Sequence, residues 1–354
     1  MHFKQLKIIF IFNYMQIINS ILIFLFATGC YSQDFFPYEK VIENKDKYNY
    51  YDISSSQEKD NFILRGTLMT PKTDFEKVVV IVPGSGNDTR NSHFVLAEDF
   101  LKNNIAVYRY DERGLGKSEG EFSNVRNGIT NKSWDLYYII KNLKEVEILK
   151  NKKMVLIGHS EGGMITIGAI EKGIKVDYLL QWASPIVKRG SIFKHQIKTG
   201  LNKQERNLQY PDNNTKYTVI DSINKVVEEN PKLDNPSLKK AIIKSLKKSG
   251  YKEKNYGWFI SLPVYMDILR IDSEPIYKNI TIPTLYVIGT DDKHVDPIEN
   301  VALLKSYQNP KIEIKVFDSL NHYLNHDDLK MSSQDMYKIN ETAANYLINW
   351  VINQ

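Results

Sequence analysis

The chain has 354 residues, 42% of them hydrophobic and 25% charged, with 47 Lys and Arg against 42 Asp and Glu for a net charge of +5. Those proportions are close to the globular average, so a sizeable core can form and pervasive disorder is not expected. The near balance of charge excludes the strongly basic footprint of a dedicated nucleic-acid binder, and no nucleic-acid partner is expected.

Residues 1–32 read as a secretory leader. Lys4 and Lys7 precede an apolar stretch centred on Ile21 to Phe26, and small residues follow at Ala27, Gly29 and Ser32. Asn13, Gln16 and Asn19 interrupt the stretch, which therefore falls short of the ~20 apolar residues of a membrane span. Cys30, the only cysteine, stands where a bacterial lipoprotein box places its lipidated residue, although Ala27 occupies a position where a larger aliphatic is usual. Membrane anchoring through a lipid on Cys30 and ordinary cleavage near Ser32 are both open. Either puts residues 33–354 outside the cytoplasm, in the periplasm, secreted or anchored at the envelope. A lone cysteine offers no internal disulfide.

From Asn61 onward short apolar runs alternate with longer amphipathic stretches, the rhythm of βα units on a parallel sheet. Strands are predicted at Phe62 to Met69, Val78 to Val82, Ile105 to Tyr110, Met154 to Ile157, Tyr178 to Ala183, Leu285 to Ile288 and Ile312 to Val316. The later ones are continuous β-branched or aliphatic runs, as in strands covered on both faces. Helices are predicted at Phe94 to Asn103, Ser133 to Glu145, Gly162 to Lys172, Ile298 to Leu304 and Gln334 to Ile352, and right-handed crossovers place them on both faces of the sheet. Between Ile186 and Pro275 the rhythm breaks. This segment is polar and lysine-rich with helical spacing at Leu238, Ile242, Ile243 and Leu246, and it reads as a helical lid inserted in one catalytic domain spanning 33–354. It carries 17 Lys and Arg against 10 Asp and Glu, a surplus read chiefly as a solvated helix face.

The strongest local signal is Gly158-His159-Ser160-Glu161-Gly162-Gly163, directly after a predicted strand and before an apolar helix. This is G-x-S-x-G in the context it needs. A nucleophile on a sharp strand-to-helix turn takes strained backbone angles, and small neighbours must stand two before and two after it. A serine hydroxyl needs a base, and the base a carboxylate behind it. The expected chain order is Ser, Asp or Glu, His. The loop after Ile288 supplies Asp291, Asp292 and Asp296, of which Asp292 is favoured; the loop after Val316 supplies His322, with His326 as fallback. His159, beside the nucleophile, is expected to pack or bond locally. The oxyanion needs backbone donors, expected at the amides of Glu161 and of Ser85 in the loop Pro83-Gly84-Ser85-Gly86.

With these pieces in place the chain resembles the bacterial α/β-hydrolase family of serine esterases and peptidases, which carries a G-S-G oxyanion loop, a D-x-R-G-x-G-x-S-x-G strip and a G-H-S-E-G-G elbow. Here they read Gly84-Ser85-Gly86, then Asp111-Glu112-Arg113-Gly114-Leu115-Gly116-Lys117-Ser118-Glu119-Gly120, then the elbow. The likeness covers Asn61 to Ser184 and Pro283 to the C-terminus and leaves the insertion uncovered. It implies the α/β-hydrolase fold with a mostly parallel eight-stranded sheet, hydrolysis of acyl esters or related bonds, and neither cofactor nor metal. A departure follows the oxyanion loop, where Asn87-Asp88-Thr89-Arg90 replaces a proline-containing sequence and leaves the role of Arg90 open. Asp111 and Arg113 are expected to form a structural ion pair beneath the site.

The expectation is a serine hydrolase acting on small acyl esters, with Ser160, His322 and Asp292 as its triad. Peptidase or aminopeptidase and thioesterase activity on the same scaffold, and a catalytically silent binding protein, are the rivals. Tyr256, Trp258, Phe259 and Tyr265 suggest an apolar, aromatic pocket lining from the lid, although such a stripe is more often the lid's own core. Acyl chain, leaving group and oligomeric state are not encoded legibly.

Overall fold

A computed structural model describes residues 45–123, 127–188, 190–326 and 338–354. The leader with Cys30, and residues 334–337 of the last predicted helix, lie outside the described residues.

Eight strands form a single sheet: β1 (Tyr48–Gln57), β2 (Phe62–Pro71), β3 (Lys77–Val82), β4 (Ala106–Tyr110), β5 (Lys153–His159), β6 (Tyr178–Trp182), β7 (Thr284–Gly289) and β8 (Ile312–Phe317), in the order β1-β2-β4-β3-β5-β6-β7-β8. Only β2 runs against the rest, antiparallel to both β1 and β4. β3, β4 and β7 are built mainly of valine, isoleucine, leucine and aromatic residues and are almost wholly buried, as expected of strands sandwiched between helices.

The helices α1 (Phe94–Lys102), α2 (Ile129–Leu143), α3 (Glu161–Glu171), α4 (Ser191–Thr199), α5 (Asn213–Glu229), α6 (Asn235–Lys248), α7 (Pro263–Arg270), α8 (Glu274–Asn279), α9 (Pro297–Ser306) and α10 (Glu341–Ile352) follow. α1 packs against β4 and α10, whereas α2 packs against α3. The crossover from β3 to β4 steps one way along the sheet and that from β4 to β5 steps the other, so right-handed connections place α1 and α2 on opposite faces. The direction reverses between β3 and β5, and a crevice opens beyond the carboxyl ends of strands at such a point. The registers Val82 with Gly158, His159 with Trp182 and Gly289 with Phe317 bring those ends level, so the loops after β3, β5, β7 and β8 converge on one rim.

One strand and two helix starts differ most from the sequence reading. α10, expected from Gln334, begins at Glu341, with Asn340 capping it by accepting the N–H groups of Thr342 and Ala343. β1 belongs to the sheet although its sequence, YNYYDISSSQ, is polar; it pairs with β2 along its whole length at the sheet edge. α2 starts at Ile129 rather than Ser133, because Asp267 of α7 accepts the N–H of Thr130 at 2.8 Å and so caps the first turn from a distant element.

Between β6 and β7 the described chain is helical and contains no strand. Asp212 and Asp234 cap α5 and α6 by accepting the N–H groups of Thr215 and Ser237. These helices close over a hydrophobic cluster of their own, including Val219, Ile220, Ile223, Leu238, Ile242, Leu246, Tyr256 and Phe259.

Candidate active site

Ser160 is the residue between β5 and α3, held at φ 56° and ψ −121°, where L-residues seldom sit. Its N–H donates to the Trp182 carbonyl at 2.8 Å, and its own carbonyl accepts from Gly163 N–H at 2.9 Å. The turn is as tight as the motif implies. A Cβ on Gly158 would lie 2.6 Å from the Gly162 oxygen, and one on Gly162 would run into the carbonyls of Val82 and Pro83. Ser160 therefore stands at the N-terminal end of α3, where the helix dipole favours negative charge.

His322, in the loop after β8, sits against this elbow, its ring 4.9 Å from that of His159. Its Nδ1 donates to Asp292 Oδ2 at 2.7 Å, and the other Asp292 oxygen accepts the N–H groups of His294 at 2.7 Å and Val295 at 2.9 Å. Burial pushes the Asp292 carboxyl up to about 7, against the backbone N–H groups that favour its charge. Burial drives His322 down to about 3, so the ring is neutral, as a general base must be. Among the described residues Ser160 makes no direct hydrogen bond to His322; the two belong to facing loops of the same rim.

The other acids of the β7 loop have different partners. Asp296 caps α9, accepting the N–H groups of Ile298 at 2.9 Å and Glu299 at 3.0 Å, and Asp291 is exposed beside Thr290. His326 is exposed and bonds the Ser319 carbonyl. Asp292 is thus the carboxylate brought to His322.

Ser85 and Glu161 line the same cavity of about 390 Å³ as Ser160, and neither backbone N–H has an intramolecular acceptor among the described residues. Much of the remaining wall comes from the helical segment between β6 and β7, through Ile192, Phe193, Leu262, Val264, Tyr265 and Ile268. Of the aromatic stripe, one residue lines the cavity and two form the core of the segment between β6 and β7. Tyr265 faces the cavity, but Tyr256 and Phe259 are fully buried in that segment's own cluster and Trp258 is 53% exposed. α4 also braces the acid loop: His195 Nε2 donates to the Asp292 carbonyl at 2.9 Å, its Nδ1 lies 3.2 Å from Asp296, and Thr199 donates to the Lys293 carbonyl at 2.9 Å.

The expected Asp111–Arg113 pair is not formed. Asp111 accepts from Arg90 through the backbone N–H, Nε and a terminal nitrogen at 2.8 to 3.0 Å, while Arg113 forks onto Asp135 of α2 at 2.5 and 2.6 Å and reaches Asp60 at 3.1 Å. The two side chains leave the end of β4 toward different elements. Arg90 also donates to Thr67 and Asp52, so the departure after the oxyanion loop ties that loop to β1, β2 and the strip.

Sequence reasoning passed over three side chains. Lys132 of α2, at the cavity wall, lies 2.9 Å from Glu161 and 3.0 Å from Glu112, with all three buried. Burial disfavours the Lys132 charge, but the two carboxylates outweigh it and raise its pKa, whereas burial pushes Glu112 up to about 8. His294 stacks on His322 with centroids 4.2 Å apart. His93 bonds His159. No local pattern marks any of them. No group of three or more His, Cys, Asp or Glu able to hold a metal ion occurs among the described residues.

The model of the hydrolase family described as serine aminopeptidase, S33, matches residues 73–328. The chain belongs to that family. Among solved structures, this S33-family hydrolase is similar to a Pyrococcus furiosus esterase at 19% identity, covering 88% of this chain and 93% of that one with a TM-score of 0.56. It is similar to Est1E of Butyrivibrio proteoclasticus, solved with ferulic acid bound, at 18% identity, 85% and 98% coverage and a TM-score of 0.53. The Penicillium α/β hydrolase GrgF is similar at 17% identity, 86% and 98% coverage and a TM-score of 0.54. At such identities the likeness is one of fold, the α/β-hydrolase fold. No curated protein matches the sequence.

Proposed function

We propose that this hydrolase cleaves carboxylic esters through an acyl-enzyme. Ser160 Oγ attacks the ester carbonyl as His322 Nε2 takes its proton, and Asp292 holds the ring with its other proton on Nδ1. The amides of Ser85 and Glu161 receive the oxyanion. The imidazolium then gives its proton to the departing alkoxide, and water, deprotonated by the same ring, releases the acid and regenerates Ser160. Substrate binding draws Ser160 and His322 into hydrogen-bond reach, a tightening common on going from a free to an occupied site. The observation that carries this reading is the buried 2.7 Å contact between His322 and Asp292 at the rim that holds the strained Ser160.

The apolar wall from the insertion, acting as a lid, favours an uncharged acyl group. Ferulic acid in Est1E and the esterase neighbours support ester substrates, whereas the family description supports a second reading, aminoacyl amide hydrolysis. The leader pattern supports an extracytoplasmic location, with anchoring through Cys30 if that residue is lipidated.

The test is hydrolysis of p-nitrophenyl esters and aminoacyl p-nitroanilides by the wild type and by Ser160→Ala. Ester turnover that vanishes in the variant supports the proposal. Turnover surviving the substitution overturns the mechanism, and preference for the anilides replaces esterase by aminopeptidase.

A further inference from the structure

Behind His322 lies a set of buried groups that the reaction does not consume. The backbone carbonyl of His322 accepts from Trp182 Nε1 at 3.1 Å and faces His159 Nε2 at 3.3 Å. His159 Nδ1 is 2.9 Å from His93 Nε2, and His93 Nδ1 is 3.2 Å from Ser92 Oγ.

The direction of this chain follows from its end. A carbonyl only accepts, so His159 Nε2 carries a proton. Burial lowers both histidines well below 6.5, leaving each ring neutral with one proton. His159 Nδ1 is then a bare lone pair, and His93 Nε2 must donate to it. His93 Nδ1 is left to accept from the Ser92 hydroxyl.

The packing holds the rings in line. His159 stacks on Trp182 at 4.3 Å, and His93 meets both rings edge-on, at 5.0 Å from His159 and 5.6 Å from Trp182. His93 takes φ 53° and ψ 33° as the residue before α1, a left-handed conformation uncommon for an L-residue. The chain thus links the segment after the oxyanion loop, the elbow and the base loop.

We propose that His93 and His159 are positioning residues that fix the main chain of His322, and with it the reach of its imidazole toward Ser160, through this one-way run of hydrogen bonds. The inference rests on the reading of Ser160 and His322 as nucleophile and base.

The test compares His93→Leu, which removes the donor, with His93→Gln, whose amide N–H can replace it. Turnover is expressed per site labelled at Ser160 by a fluorophosphonate, so that unfolded protein does not count. His93→Leu is expected to lower kcat per labelled site by about tenfold to a hundredfold, with KM within about threefold and His93→Gln recovering much of the loss. A His93→Leu protein with wild-type kcat per labelled site, even if its melting temperature falls, overturns the positioning role. Nitrogen-15 spectra of the histidine rings read the chain without any activity. Both rings protonated at Nε2 and bare at Nδ1 support it, and His159 protonated at Nδ1 overturns it. Turnover or labelling that survives Ser160→Ala instead overturns the underlying assignment of the nucleophile.

Discussion

Replacing Asp292 with asparagine exchanges one oxygen for an NH2 group, and the surroundings dictate which oxygen is lost. One Asp292 oxygen accepts both the His294 and Val295 N–H groups, and the other accepts His322 Nδ1–H. Asparagine turned the wrong way would set its NH2 against two backbone donors in a buried site, at about 1–3 kcal/mol for each donor left unsatisfied. Its oxygen therefore stays on the backbone and its NH2 faces Nδ1. That forces His322 into the tautomer with its proton on Nε2, which leaves no lone pair toward Ser160. The expected loss is on the order of 10⁴ in kcat, roughly 5 kcal/mol of barrier, with KM little changed. Steady-state hydrolysis of p-nitrophenyl butyrate measures it, with circular dichroism confirming the fold. A folded Asp292→Asn enzyme within about tenfold of wild-type kcat would refute the tautomer argument and the role of Asp292 with it.

Three further outcomes are expected. Lys132→Met strands Glu112 and Glu161 without their shared cation and should cost about 3–5 kcal/mol in urea unfolding; a loss below about 1 kcal/mol would show the cluster to be dispensable. His93 has a folded pKa well below 6.5 through burial and then the charges of His159 and Arg109, so below 6.5 the unfolded chain binds a proton that folded His93 refuses. Stability of the wild type therefore falls with falling pH more steeply than that of His93→Gln, by up to about 1.4 kcal/mol per pH unit, and parallel unfolding curves at pH 6.5 and 5 would contradict this. Val264→Trp fills part of the cavity, so kcat/KM for a p-nitrophenyl octanoate should fall more than about tenfold while the acetate changes less than about threefold; equal losses would place the acyl group elsewhere.

The central strands were legible because each is largely apolar along its length, a property of the segment itself. β1 was not, because its polar sequence gains order from pairing with β2 and from the helix covering one face. The elbow could be placed from its own residues, since glycines are demanded wherever backbone approaches within 3 Å. The choice among Asp291, Asp292 and Asp296 was legible in part. Asp296 precedes Pro297, a helix-start signal that marks it as a cap and removes it from contention. The Asp111–Arg113 expectation failed because proximity in sequence says little once a chain leaves a strand end, and the true partners, Arg90 and Asp135, lie 21 and 22 residues away. Lys132 and His93 carried no signal for a related reason: each acquires its meaning from contacts that only the assembled rim creates.

The bracing of the β7 loop by α4 bears on how such enzymes can be recombined. His195 and Thr199 support the main chain of Asp292 and Lys293 from within the segment that also walls the cavity. On the proposed mechanism, a graft that exchanged residues 186–275 for a relative's segment would change substrate fit and, in the same cut, remove the scaffolding under Asp292. Under that proposal selectivity and turnover are inherited together, and transplanted segments must bring equivalents of both side chains to yield working hybrids.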